Sequence, residues 1–306
     1  MLCTKTRAAG QATRCRTLGR FNDEHPDVSA MRGMARTLWG DARMTNNILD
    51  QSATYDHFIE VVRRRRSVRR FTKGREVSRD TVLKIAEAAR WAPTGANAQC
   101  WDLIVIDDKK AKQNVLDVFL RQSQRLVDHA KGFPAVKKTY LANTVAILVV
   151  LGDPRFKVCF PQGTTSDWQQ EYSDNNERIF VASLGAVIQN IQLAVAACGL
   201  TSAWLSGGGE DTTNKELAAV LEYPPHLVAI GTVPIGFPEK DVSLRYRRPL
   251  DHIVHWNHFD KSKLRPDIMI DHYVKEVRPF AMYRGLENVH DWEDADEILG
   301  EYKRFY

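Results

Sequence analysis

The chain has 306 residues, 43% of them hydrophobic and 26% charged, which are values for a globular protein long enough to bury a large core. Lys and Arg number 43 against 38 Asp and Glu, a net charge of +5, and no run of eighteen apolar residues occurs, so neither nucleic acid nor a membrane is expected as a partner. The five Cys are scattered without a Cys-x-x-Cys pair, which speaks against a disulfide framework and a zinc site and for a reducing compartment.

Residues 1–54 place Lys5, Arg7, Arg14, Arg16 and Arg20 before any acidic residue and read as an N-terminal extension, partly disordered. A cytoplasmic location is expected, with organellar targeting by the basic N-terminus left open. Tyr55, Phe58, Ile59 and Val62 then fall at i, i+3, i+4 and i+7, the stripe of an amphipathic helix. That helix runs into six Arg within eight positions, Arg63 to Arg66 with Arg69 and Arg70. A second stripe, Val82, Ile85, Ala86 and Ala89, predicts a helix with Ser78 as N-cap, and Pro93 should end it near Ala92.

Trp101 to Ile106 and Val145 to Leu151 are apolar, β-branched runs of strand length. Ile179 to Cys198 reads as a long helix, apolar on nearly every side, which must be covered all round. Gly199 to Gly209 reads as a strand entering a glycine turn. Thr213 with Glu216 forms a capping-box pattern for a short helix to Leu221, and Leu227 to Ile235 reads as the last core strand. His252, His255 and His258 share no helix or strand face, so a solvated or packing role is expected and no metal site. Residues 257–306 form a charged, aromatic C-terminal extension, helical in pattern from Glu293 to Tyr302.

Four segments carry chemistry. Arg65, Arg66 and Ser67 supply guanidinium forks and a hydroxyl suited to a phosphate, although a charge run read alone is as compatible with a solvated face or a nucleic-acid patch. In Ala92 to Trp101, Gly95 is expected to take unusual backbone angles, and Asn97 and Gln99 offer paired donors and acceptors for a heterocycle edge. The glycine turn at Ser206, Gly207, Gly208 and Gly209 follows, and Arg245-Tyr246-Arg247-Arg248-Pro249-Leu250 adds a second Arg cluster. No Gly-x-Gly-x-x-Gly follows a strand, so a Rossmann NAD site is not supported.

In this order and spacing the four segments resemble the nitroreductase family of flavin mononucleotide enzymes over roughly residues 55–256. The resemblance implies an α+β fold, a central mostly antiparallel sheet flanked by helices, in an intertwined homodimer with FMN at the subunit interface. It implies that Arg65, Arg66 and Ser67 hold the FMN phosphate and ribityl chain, with Arg247 and Arg245 closing from the far end of the chain, and that Arg69 lies near flavin N1 and the C2 carbonyl. Pro93, Thr94 and Asn97 are implied to contact the isoalloxazine, and Ser206 and Gly207 to lie near the ring. Cys100 stands where the family usually has Pro, and Ser206 where some members carry an acidic residue.

No catalytic triad or paired carboxylates stand out at the site, and the resemblance implies that flavin N5 carries the chemistry. NADH or NADPH is expected to reduce it, and an electron-poor small-molecule acceptor, such as a nitroaromatic or quinone, to take the electrons from the same face in a ping-pong cycle. A dehalogenase or a dehydrogenase on this fold, or a non-catalytic flavin binder, are the alternatives. Residues selecting the acceptor are expected between Lys110 and Lys138 or between Phe156 and Asn176, and the C-terminal extension is expected to wrap the partner subunit.

Overall fold

The computed structural model describes residues 51–129, 138–240, 242 and 247–277. The chain divides into two compact units, Met1–Ala53 and Thr54–Tyr306, and all that follows belongs to the second apart from the first three residues of helix α1. The two extensions and the helical pattern from Glu293 to Tyr302 lie wholly or largely outside the described residues.

The described elements are α1 (Gln51–Arg64), α2 (Arg79–Arg90), β1 (Trp101–Ile106), α3 (Lys109–His129), β2 (Ala146–Gly152), α4 (Ser166–Ala197), β3 (Thr201–Ser202), α5 (Asp211–Leu221), β4 (Val228–Gly236) and the short α6 (Asp267–His272). The strands form one antiparallel sheet in the order β1-β2-β4-β3. This is the α+β architecture that the pattern predicts.

Strand β2 is buried at all seven positions because both sheet faces are covered, which is why it reads as a continuous apolar run and not as an alternation. Ala146, Leu148 and Val150 face α2 (Val82, Ile85, Ala89) and α4 (Phe180, Leu184, Val187, Ile188, Ile191). Ile147, Val149 and Leu151 face α3 (Val115, Val118, Phe119) and Leu217 of α5. Each such aliphatic side chain contributes about 1.5–3 kcal/mol by leaving water, so this strand is the centre of a three-layer stack.

Helix α2 begins as its sequence signals: the Ser78 hydroxyl accepts the Thr81 N–H at 3.2 Å. Helix α4 starts at Ser166, thirteen residues before its apolar stretch, because the first three turns are polar (Asp167, Gln169, Gln170, Glu171) and carry no stripe. By length and composition α4 could cross a membrane, with a window of mean hydropathy 1.8, but half of that window is buried inside the protein, as in a core helix. Its outer face is not covered by the described residues: Val181 is 45% exposed, as are Tyr55 (61%) and Phe58 (55%) on the stripe of α1.

From Lys110 to His129 the segment expected to bear acceptor-selecting residues is a helix, whose buried stripe of Val115, Val118 and Phe119 continues through Gln122 and Ser123. Those two polar residues at apolar positions hide the helix period in the sequence. Helix α5 begins at Asp211 with Glu210 as N-cap, so Thr213 is an interior residue, its hydroxyl donating to the Glu210 carboxylate at 3.0 Å, and Glu216 pairs with Arg121 and Arg125 in place of a capping box.

Asp153 closes the end of β2. Its N–H donates to the Cys100 carbonyl at 3.0 Å, and its carboxylate accepts from the Arg155 N–H at 3.0 Å and from the Arg155 guanidinium at 2.6 Å. Hydrogen bonding from the Arg155 side chain holds this carboxyl below its usual 3.8, so its contribution to stability is present above that pH and lost as pH falls through the lower folded value. Asp153→Asn should cost about 1–2 kcal/mol at pH 7 in urea unfolding, and the gap from the parent protein should narrow as pH drops below 3.8. A gap independent of pH would show that the charge is not what Arg155 reads.

Candidate functional site

After α1 the chain runs extended and joins the sheet edge. Ser67 bridges Ser202, the Val68 N–H donates to the Ser202 carbonyl at 2.8 Å, and Phe71 bridges Pro238. Val68 and Phe71 are buried in the core below, 2% and 0% exposed, so the residues between and before them are pinned along the edge. Arg65 and Arg66, both half-buried, are presented there.

Arg247 joins them from the other end of the sequence. Burial first, then the like charge of Arg247, lowers the Arg65 pKa from its ordinary value. Arg66 is lowered by burial, by Arg65 and by Arg247. No carboxylate among the described residues pairs with Arg65 or Arg66. The Arg66 guanidinium donates only to the backbone carbonyls of Arg63 and, at 2.9 Å, Arg65, and its buried Nε has no partner. Arg65 and Arg66, paired with no described carboxylate and the second carrying an orphaned N–H, lie with Arg247 in a cluster suited to an anion. Arg245 lies outside the described residues.

Arg69 points elsewhere along the same edge, hydrogen-bonding the hydroxyl of Tyr140, a residue 9% exposed that packs against Phe71. Burial raises the Tyr140 pKa while Arg69 works against the rise. Four residues beyond Ser202, Ser206 is exposed and enters the Gly207–Gly209 turn, which Leu205 ties to β4 through a bridge with Thr232. A Cβ on Gly207 would lie 2.7 Å from Gln122 Nε2, so the turn rests directly on that side chain.

The Pro93–Asn97 turn is held at the opposite end of the sheet. The Gly95 N–H donates to Ser183 Oγ at 3.0 Å, and a Cβ there would come within 2.2 Å of the Ile179 side chain and 3.0 Å of Phe160. Glycine is needed at 95 for this close approach. The left-handed angles expected of it fall instead on Ala96 (φ 50), Asn97 (φ 50) and Gln99 (φ 46), strained for non-glycine residues, and the Thr94 hydroxyl steadies the turn by accepting the Gln99 N–H at 3.0 Å. Pro93 and Asn97 are exposed and Thr94 half-buried. Cys100 next to them is a fully buried core thiol, its pKa raised by burial.

One chain therefore brings Arg65, Arg66, Ser67 and Arg247 together and leaves Pro93, Thr94 and Asn97 apart, with the Gly207–Gly209 turn lying against Ala229, nearer the end of β2. The Arg cluster sits where Ser202 pairs with Ile235, opposite the start of β2, whereas the Pro93–Asn97 turn adjoins Gly152 at its end. Seven strand residues at about 3.3 Å each put the two roughly 20 Å apart. The stretch of α4 from Ser183 to its end, at about 1.5 Å per residue, gives a similar span. Among the described residues no cluster of three metal-ligating side chains occurs, and His255 is engaged in packing, stacked on Phe259 at 4.3 Å and accepting the Asp260 N–H.

The chain is 27% identical over 185 residues to a putative NADH dehydrogenase/NAD(P)H nitroreductase of Archaeoglobus fulgidus, covering 60% of this chain and 87% of that protein. It is 25% identical to an NADPH-dependent oxidoreductase of Staphylococcus aureus, covering 68% and 76%. Its fold matches the NADPH:FMN oxidoreductase of Vibrio harveyi, solved with NAD+, at a TM-score of 0.52 and 16% identity, covering 80% and 97%. Nitroreductase A of Vibrio parahaemolyticus matches at a TM-score of 0.50 and 16% identity, covering 71% and 85%. The family model described as "Nitroreductase family" matches residues 62–237, more than half of the sequence, and the chain belongs to that family.

Proposed function

We propose that the protein is an FMN-dependent oxidoreductase that takes electrons from NADH or NADPH and delivers them to an electron-poor small molecule such as a nitroaromatic or quinone. The observation that carries this reading is the gathering of Arg65 and Arg66, neither paired with a described carboxylate and the second with an orphaned Nε, beside the Arg247 cation. The names of the relatives in A. fulgidus and S. aureus support the redox class and the nicotinamide donor.

The donor set fits the group. Arg65, Arg66, Ser67, Arg247 and Arg245 would hold the phosphate and ribityl chain; Pro93, Thr94, Asn97, Ser206 and Gly207 would line the ring, with the Arg69 cation beside it. A fixed cation there favours negative charge on the reduced ring. Bound FMN would supply the redox chemistry, accepting a hydride from the nicotinamide and passing the electrons on in a ping-pong cycle. This chain's part is to grip the phosphate, fix the ring and leave one face open to donor and acceptor in turn. Loose acceptor choice follows, with Lys110 to Lys138 or Phe156 to Asn176 the segments to bias it.

The ring and phosphate contacts lie roughly 20 Å apart on one chain, by the span of seven strand residues, at or beyond the length of one extended FMN, which favours two chains sharing each site over one chain enclosing it. A second copy supplies the missing half: the Pro93–Asn97 turn of one subunit meets the Arg cluster of the other, and the exposed Val181, Tyr55 and Phe58 lie under the partner. On this reading residues 55–256 form the FMN-binding domain, residues 257–306 wrap the partner, and the enzyme works in the cytoplasm.

Arg66→Ala and Arg247→Ala should each weaken FMN binding by about 1.5–3 kcal/mol, the worth of one charge-assisted contact, in a flavin fluorescence titration. Unchanged affinity in both would move the phosphate elsewhere. NADPH added without oxygen should bleach the bound flavin, and initial rates against a quinone should give parallel double-reciprocal lines; a flavin that stays yellow would make the protein a binder without turnover.

The shared site has its own test. A chain carrying Arg66→Ala with Arg247→Ala and a chain carrying Thr94→Ala with Asn97→Ala should each be nearly inactive. Co-expressed, half of randomly formed dimers are mixed and each mixed dimer has one intact site, so about a quarter of parent activity should return at the closed-symmetry interface such dimers use. No recovery would place the whole site within one chain.

A further inference from the structure

Behind the glycine turn lies a run of polar contacts that cofactor binding, as read above, does not use. Lys138 Nζ donates to Gln122 Oε1 and, at 2.9 Å, to Ser123 Oγ. Gln122 Nε2 donates to Glu210 Oε1 at 2.8 Å, and Thr213 Oγ1 donates to Glu210 Oε2 at 3.0 Å. Arg125 reaches Thr213 at 3.0 Å and Glu216 at 2.6 Å, and Arg121 reaches Glu216 at 2.7 Å. Gln122 is 2% exposed, on the stripe of α3 that elsewhere faces the core, and burial lowers the Lys138 pKa while Glu210 opposes the shift.

An apolar residue at 122 would continue the stripe and avoid burying an amide and a cation, a burial that costs free energy unless every group is bonded. What the polar choice provides is a fixed seat for the turn. The Gln122 amide is held at both ends, oxygen by a cation and nitrogen by an anion, and Gly207 sits against its Nε2 with no room for a Cβ. Glu210 is tied twice: its carboxylate accepts from Gln122, and its backbone N–H donates to the Gly207 carbonyl at 3.3 Å, closing the turn. The turn cannot shift without breaking charge-assisted bonds of about twice the ordinary strength.

We propose that Lys138, Gln122 and Glu210 are positioning residues that fix the Ser206–Gly208 turn against the flavin ring, with Arg121 and Arg125 serving only to clamp α3 to α5. The inference rests on the reading of the site given under Proposed function. Glu210 is exposed, so Glu210→Ala truncates a surface side chain and should fold.

Glu210→Ala and Lys138→Met should each raise the dissociation constant of FMN about tenfold and move the midpoint potential of the bound flavin to more negative values, because a loosened turn no longer stabilises the reduced ring. Glu210→Gln, which keeps an acceptor for Gln122, should recover most of the loss. Arg121→Ala should lower the melting temperature and leave affinity and potential at parent values. Parent affinity and potential in Glu210→Ala and Lys138→Met, or equal losses in Arg121→Ala, would reduce the network to a helix clamp. A parent protein that binds no FMN would overturn the site reading instead, and the parent titration separates the two failures.

Discussion

Like charges crowded at a half-dry surface repel, and a folded protein keeps such a group only where an anion completes it. Arg65 and Arg66 cannot move apart, because Val68 and Phe71 lock the segment that bears them into the core and Ser67 is bridged to Ser202. Arg247 is brought to the same place from beyond the last strand. The fold thus holds these cations close together, and the proposed binding of a phosphate would relieve their repulsion while each guanidinium gained a bond of about 1.5–3 kcal/mol.

The second constraint is distance. Strand β2 is buried on both faces and α4 packs against it, so the two ends of the sheet are kept apart as firmly as the core is packed. The Pro93–Asn97 turn is fastened at one end through Gly95, Ser183 and Phe160, and the Arg cluster at the other through Ser202. The proposed pairing of two copies follows from this rigidity and from the uncovered apolar residues of α1 and α4, with no need for a flexible chain to bridge the gap.

Much of this was legible in the residues. Ser78, the stripe from Val82 to Ala89 and the β-branched run at 145–151 gave α2 and β2 because cap, period and propensity agree. Helix α3 was hidden because Gln122 and Ser123 occupy apolar positions, the same departure that builds the polar network beneath Gly207. The start of α4 was hidden because its first turns face water and carry no period. Thr213 and Glu216 fit a capping box by spacing, yet the real cap lies at Glu210, and both residues are taken by Arg125. Gly95 was rightly singled out for the wrong reason, since space and not backbone angle demands glycine there. The order of motifs along a chain cannot say whether they meet within one copy or between two, which is why the separation of the turn from the Arg cluster emerged only in three dimensions. Of the residues beyond the motifs, Gln122 had one visible signal, a polar side chain set into an apolar stripe, and Lys138 and Glu210 had none.

Helix α4 gives the molecule a thermodynamic property. In the proposed dimer the helix fastens the ring turn at Ser183, near its middle, and leads at its C-terminal end into the strand beside the Arg cluster, so a departing cofactor would loosen the contact between subunits. Ligand release and dissociation of that assembly would then be one linked equilibrium, the apparent grip on the flavin would depend on how concentrated the protein is, and dilution alone would act as an eluent.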